Sequence, residues 1–479
     1  MMSSSREVPA ARGRIPVIGA AFLLAVCFYA AAAGAAGGPR PRVSENRRYL
    51  QDEKGEPFFW LGDTAWLLFQ RLNRDEIERY LENRRAKGFT VIQVMLVHEA
   101  GDVNAYGKPA LKGGDFSQPA VTPGADPADP TQYDFWDHVD FAVDRAGEKG
   151  LVMAMVPAWG QIVRSGTLDL PKVEGYATFL AKRYRDRPNV VWVNGGDTRG
   201  DQQTDVWNAM GRTLKAVDPG HLVTFHPFGR TDSSTWFHRE TWLDFNMYQS
   251  GHRSYEQDPD GYGEDNWHYA LDDWAKTPPK PTLDGEPSYE GIPHGLHDTT
   301  QPYWTADDAR RYAYWSVFAG ACGHTYGHNA VMQMNKPGAE PMGFGPRAFW
   351  FDALDAPGAS QMRHLRSLLL SRPYFERVND DSLLAEGPGR RYDRVVVTHG
   401  DGFSFFYSFS GRPFKVRMAL VSGTRTVAWW FDPRDGTATK AGAFDNHGER
   451  RFVPPTPGQD WVLVLDDEAR GFGPPGTLR

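Results

Sequence analysis

Val190-Val191-Trp192-Val193-Asn194-Gly195-Gly196-Asp197 runs apolar and then turns on two glycines into a carboxylate. Pro281-Thr282-Leu283-Asp284-Gly285-Glu286-Pro287 repeats the pattern and ends on a glutamate. A short apolar run without alternation, bounded by glycine, is the signature of a strand buried on both faces, and such strands belong to parallel sheets covered by helices. Working outward from these two stretches, the same kind of run recurs at 58–61, 90–97, 151–157, 190–194, 222–225, 245–248, 281–283 and 323–326. Segments of helical period separate them at 74–87, 135–149, 176–185, 205–217, 269–276 and 306–319. In the second of these, Phe135, Val139 and Ala142 fall on one face. Eight strand-helix repeats predict an α/β fold of (β/α)8 barrel type over residues 40–378. An open doubly wound sheet is disfavoured, because no Gly-x-Gly-x-x-Gly turn follows the first strand.

Residues 98–133 are too long and too rich in Gly, Pro and Asp for an ordinary strand-helix connection, so they are expected to form a loop over the barrel face that could shape a pocket. After a helical stretch at 360–370 the period changes to two. Strands are predicted at 395–398, 402–409, 414–420, 427–431 and 460–465, which makes residues 380–479 an antiparallel β-sandwich domain.

The N-terminus speaks to compartment. Arg6, Arg12 and Arg14 face Glu7 alone, residues 15–32 are almost wholly apolar, and Ala33-Gly34-Ala35-Ala36 offers small-residue cleavage sites. Residues 1–36 therefore read as a signal peptide, and the protein is expected to be secreted or periplasmic. Removing three arginines and one glutamate takes the formal charge from −7 to −9, and no basic tract stands elsewhere. Nucleic acid and, after cleavage, membrane surfaces are not expected partners. Of two cysteines only Cys322 then remains, so no internal disulfide forms and the fold must rest on its core.

In a barrel of this type the chemistry sits where the strands end. Asp197 ends the fourth strand and Glu286 the seventh. Each has a structural alternative, a helix N-cap for Asp197 and a buried ion pair for Glu286. Together, two carboxylates on one rim suggest hydrolysis of a glycosidic bond. A sugar also needs planar hydrogen-bonding groups and an apolar face to stack on. Asp63, Trp66, Gln93, His98, Trp159, Asn194, His226, Tyr248, Gln249, His324 and Tyr326 lie at or near strand ends and are the expected substrate-binding residues. His324-Thr325-Tyr326-Gly327-His328, with His294 and His297 nearby, has the composition of a metal site, but its glycines argue against a helix and no His-Glu-x-x-His stands in the chain. No metal or other cofactor is expected. No Gly-x-Ser-x-Gly elbow supports serine chemistry.

Four words, Phe59-Trp60-Leu61-Gly62-Asp63-Thr64-Ala65-Trp66, Trp192-Val193-Asn194-Gly195-Gly196-Asp197, Asp284-Gly285-Glu286-Pro287 and Tyr312-Ala313-Tyr314-Trp315, carry a resemblance. From about Arg48 to the C-terminus the chain resembles glycoside hydrolase family 140, the apiosidase-like barrels, with their C-terminal collagen-binding-type domain. The resemblance implies that Asp197 is the general acid/base and Glu286 the nucleophile of a retaining glycosidase. The expectation is an enzyme removing a terminal, apiose-like sugar from a complex polysaccharide or oligosaccharide. A noncatalytic carbohydrate-binding or adhesion protein and an endo-acting glycanase are the alternatives.

Overall fold

The computed structural model describes residues 37–477, so the expected leader at 1–36 lies outside the described residues. Eight parallel strands follow in chain order: β1 (Trp60–Thr64), β2 (Val91–Met95), β3 (Val152–Val156), β4 (Val190–Thr198), β5 (Val223–Pro227), β6 (Asn246–Gln249), β7 (Thr282–Asp284) and β8 (Gly323–Tyr326). Hydrogen-bonded neighbours run β5-β4-β3-β2-β1-β8-β7-β6, and a short strand, Thr231–Asp232, pairs antiparallel with β6. The remaining seam, β5 to β6, is bridged by the Asp244 amide donating to Val223 O at 2.8 Å and by Thr224 Oγ1 donating to Phe245 O at 2.8 Å. The sheet thereby closes into the expected (β/α)8 barrel.

The helices over the barrel are α1 (Arg74–Ala86), α2 (Phe135–Glu148), α3 (Leu170–Tyr184), α4 (Thr204–Val217), α5 (Trp267–Trp274), α6 (Ala306–Phe318) and α7 (Pro357–Leu370). Their starts are written in the sequence. Asn73 with Glu76, Asp134 with Asp137 and Thr305 with Asp308 each form a reciprocal capping box. Pro171 and Pro357 occupy the first turns of α3 and α7.

Alternate residues of each strand face the barrel interior or the helix layer, and this decides which side chains reach the site. In β1 the Trp60 indole donates inward to Thr325 Oγ1 of β8 at 3.0 Å. Its neighbour-but-two, Asp63, turns outward to α1, accepting from Arg84 Nε at 2.6 Å and from Tyr80 Oη at 2.5 Å.

Residues 98–133 form an ordered loop rather than a free insertion. Ala110, Leu111 and Phe116 are buried, Trp136 Nε1 of α2 donates to Ala110 O at 3.0 Å, and the rings of Phe116 and Tyr176 meet edge-on at 4.9 Å.

Beyond the short strand Val378–Asn379 come β9 (Val395–Gly400), β10 (Phe403–Ser408), β11 (Phe414–Arg417), β12 (Arg425–Phe431), β13 (Ala438–Asp445), β14 (Glu449–Phe452) and β15 (Trp461–Asp467). The larger antiparallel sheet runs Val378–Asn379, β9, β10, β15, β12, β13, and β11 pairs with β14 across from it. Between the two sheets lie Phe406, Phe414, Val416, Phe452 and Leu463. The opposite face of the larger sheet packs on the barrel. Tyr407 stacks on Tyr314 of α6 with 4.6 Å between centroids, Arg310 Nε donates to Asp460 Oδ2 at 2.9 Å, and Arg372 makes two bonds of 2.7 Å to Asp466. All four members of these ion pairs are buried.

Candidate active site

The turn that ends β4 is built for close approach. Gly195 and Gly196 have φ of 91° and 105°, and Asp197 itself sits in the left-handed region at 48°. A Cβ on Gly195 would lie 2.5 Å from His226 O and one on Gly196 would lie 2.6 Å from Trp159 Cε3, so neither position admits a side chain without displacing a neighbour. The register with β5 slips between Gly195 and Thr198. This irregularity pushes Asp197 over the barrel mouth, where Arg164 Nη1 donates to its carbonyl at 3.0 Å and its amide donates to His226 Nδ1 at 3.3 Å.

Because His226 Nδ1 accepts that amide proton, the ring's own proton resides on Nε2. His226 Nε2 lies 3.1 Å from Glu286 Oε2, off the line of an ideal hydrogen bond. On the other carboxylate oxygen, His252 Nε2 stands 3.0 Å from Glu286 Oε1, and His252 Nδ1 accepts from the Tyr289 amide at 3.4 Å. Two imidazoles of the same tautomer thus present N–H groups to one carboxylate. Below the turn, Gln93 Nε2 donates to Gly285 O at 2.9 Å and supports it from inside the barrel.

Asp197 and Glu286 line one cavity of about 210 Å3 together with Gln249, His252, Arg230 and Arg253, and Leu296 and His297 close it from the loop after β7. Their electrostatic environments differ. Burial would raise Glu286, but the hydrogen bonds and partial positive charge of His226 and His252 outweigh it and hold the carboxyl at about 2. Asp197 is pushed above the ordinary aspartate value, first by burial and then by the anionic Glu286 beside it. One carboxylate is kept ionised and the other is biased toward the acid form, the division of labour that acid-assisted displacement needs.

Trp66, Trp159 and His226 form an aromatic cluster beside this pair, with centroid distances of 5.1 Å between the indoles and 5.5 and 5.9 Å from each to the imidazole. The His98 ring stands 6.4 Å from Trp159 at the outer edge of the cluster.

Five of the expected substrate-binding residues lie elsewhere. Asp63 is the partner of Arg84 and Tyr80 described above. Asn194 Nδ2 donates to Trp207 O of α4 at 2.9 Å. Tyr248 stacks on Tyr269 of α5, 5.3 Å between centroids. His324 Nδ1 is 3.5 Å from Ser316 Oγ of α6 and burial drives its pKa down to about 3. Tyr326 Oη donates to Glu290 Oε2 at 2.6 Å. All five sit on the helix-facing side of their strands. Nor does the 98–133 loop contribute to the cavity lining, which comes instead from the loops after β5, β6 and β7. Among the described residues no group of three or more His, Cys, Asp or Glu is arranged to hold a metal ion.

The residues that sequence reading passes over are Arg230, His252 and Arg253. They sit in loops with no apolar period to anchor them. The one available signal was local: His252 follows the β6 end by only three residues, in Gln249-Ser250-Gly251-His252.

Residues 44–376 match the family described as "Apiosidase-like, catalytic domain". The chain belongs to that family. Residues 378–466 match the family described as "Putative collagen-binding domain of a collagenase". A solved "Glycoside hydrolase" is 44% identical with a TM-score of 0.85, the match covering 91% of this chain and 98% of that one. A glycoside hydrolase family 5 structure from Bacteroides vulgatus is 43% identical with a TM-score of 0.86, covering 91% and 95%. No curated protein matches the chain. This apiosidase-like protein is accordingly a glycoside hydrolase, and a carbohydrate is its substrate.

Proposed function

We propose that this apiosidase-like protein is a retaining, exo-acting glycosidase that is exported and removes one terminal sugar from a complex polysaccharide or oligosaccharide. The observation that carries the reading is two carboxyls on one small cavity in unlike surroundings: Glu286 with imidazole nitrogens at 3.0 and 3.1 Å on its two oxygens, and Asp197 with none on its carboxylate, a contrast that favours the ionised form of the first and the acid form of the second. In the first half of the reaction Asp197 gives its proton to the leaving oxygen while Glu286 attacks the anomeric carbon, forming the glycosyl-enzyme and releasing the aglycone alcohol. In the second half Asp197, now a carboxylate, takes a proton from water as that water displaces Glu286.

The exo reading draws on size. A cavity of about 210 Å3 is smaller than the roughly 300–1,000 Å3 of sites that take drug-sized ligands, and suits a single ring better than a chain threading through. The half-buried Trp159 stands beside the pair with Trp66 packed behind it, and Gln249 with the two arginines offers hydrogen bonds to hydroxyls. Export rests on the leader-like composition of residues 1–36.

The test is sugar release from a panel of plant cell-wall oligosaccharides, apiose-bearing ones first, with and without EDTA and beside Glu286→Ala. A single monosaccharide released, unaffected by chelator and lost in the variant, is the expected result. Internal cleavage to a ladder of oligosaccharides would replace the exo reading, and loss of activity to EDTA would overturn the two-carboxylate mechanism.

A further inference from the structure

The loop after β6 leaves the barrel at Ser250 and returns at Asn266, and both ends rest on the same carboxylate. Ser250 Oγ donates to Asp284 Oδ2 at 2.6 Å and Asn266 Nδ2 donates to the same oxygen at 3.0 Å. Near its start the loop delivers His252 and Arg253 to the cavity. Its outer half is held by the other domain. Tyr392 Oη lies 3.0 Å from both oxygens of Glu264, and its ring meets that of Tyr255 edge-on at 5.5 Å. The Arg391 guanidinium covers the Tyr255 ring at 4.7 Å. Arg311 of α6 completes the arrangement, with Nη2 2.6 Å from Glu264 Oε2 and its guanidinium 5.1 Å from the Tyr392 ring. Glu264 is buried, and its Oε1 also accepts from the Tyr255 amide at 3.2 Å. Tyr255 is three residues from His252.

From this chain of contacts we infer that the C-terminal domain completes the active site: Tyr392 and Arg391 are positioning residues that fix the 250–266 loop and with it the reach of His252 to Glu286. The inference rests on the reading of Glu286 as the ionised catalytic carboxylate. A domain that only braced the barrel would need the contacts of β10 and β15 with α6 and α7. The Tyr392 and Arg391 contacts go instead to a substrate-side loop: Tyr392 bonds a buried carboxylate, the stronger class of hydrogen bond, and Arg391 covers an aromatic face. The groups facing Glu286 are Asp197 from β4, His226 from β5, His252 from this loop and the Tyr289 side chain, with Arg230 and Arg253 on the cavity wall. Of the two imidazole donors, only His252 moves with the loop.

Hydrogen exchange and pH-rate profiles on the full chain test this, the latter with 4-nitrophenyl apioside. Tyr392→Ala should speed amide exchange across 251–258 by about tenfold, as local opening of the loop becomes cheaper. The acid limb of kcat/KM should move to higher pH as Glu286 loses part of its donor. Tyr392→Phe, which keeps the ring contact with Tyr255, should fall between the two, and Arg391→Ala should act in the same direction. Arg470→Ala, in the same domain but outside the loop contacts, should leave both readouts at wild-type values. Wild-type exchange in 251–258 and an unmoved acid limb in a folded Tyr392→Ala would overturn the inference, as would faster exchange spread through the C-terminal domain with the acid limb in place. His252→Ala separates the two levels of the argument. If it leaves the acid limb unmoved, the reading of Glu286 fails; if it moves the limb and Tyr392→Ala does not, only the positioning role fails.

Discussion

His226 and Glu286 stand 3.1 Å apart, Nε2 to Oε2, while the other nitrogen of the same ring takes the amide proton of Asp197. One imidazole therefore connects the backbone that carries the proposed acid to the carboxylate proposed as nucleophile. His252 repeats the arrangement on the second oxygen. The pair explains how a carboxylate nine-tenths buried favours its ionised form without a lysine or arginine against it: the imidazole N–H groups compensate the lost hydration.

Removing either imidazole should raise the Glu286 pKa from about 2. A hydrogen bond to a charged group is worth about 1.5–3 kcal/mol, which corresponds to roughly one to two pKa units. The sign follows from which form reacts. As the proposed nucleophile Glu286 must be ionised, so activity is lost as pH falls through its pKa, and His252→Ala and His226→Ala should each move that acid limb upward. Profiles measured between pH 3 and 9 check it: the wild-type limb lies below that range, and the limbs of the variants should enter it.

On the proposed mechanism the alkaline limb belongs to Asp197. Its folded pKa is raised by burial and by Glu286, and its protonated form reacts, so activity should fall as pH rises through that elevated value. Glu286→Gln removes the like charge and should lower the Asp197 pKa, a change visible by carboxyl-carbon NMR titration. An unchanged titration would mean that the two carboxyls are not coupled.

Asp197→Ala should keep the fold and retain ligand while losing most turnover on natural glycosides. Its loss should be smaller on aryl glycosides, whose leaving groups need little protonation. Equal loss on both would remove Asp197 from the acid role.

Asp63→Ala should damage stability and spare catalysis. Asp63 and Arg84 are fully buried partners, and removing one leaves an uncompensated charge at a cost of about 3–5 kcal/mol. Urea unfolding should show this loss, while KM for any fraction that stays folded is unchanged. A raised KM at wild-type stability would return Asp63 to the sugar site.

Asp63 also shows what the sequence can and cannot carry. The barrel strands were legible because most are apolar runs, and the polar ones, Asn246–Gln249 and Gly323–Tyr326, fall between helical segments at the expected spacing. The same property hides which way a residue points. A strand buried on both faces has no alternation to read, so Asp63, Asn194, Tyr248, His324 and Tyr326 looked like rim residues when they bond to the helix layer. Asp197 and Glu286 could be singled out because glycines precede both. At Asp197 the bulge that Gly195 and Gly196 allow reorients the chain beyond any simple alternation. In the C-terminal domain, β13 and β14 escaped because their strands are largely exposed, with Ala438–Asp445 offering few apolar residues to mark the period. His252, Arg230 and Arg253 lie in loops between elements, where no apolar period marks a position as facing the cavity.

The stereochemistry of the first product tests the central claim most directly. If Glu286 attacks the anomeric carbon, two successive displacements return the sugar in its original configuration, and NMR of the product during the first minutes of hydrolysis will show the anomer of the substrate. Appearance of the opposite anomer first would contradict the account, because Glu286 would then activate a water molecule and form no bond to the sugar.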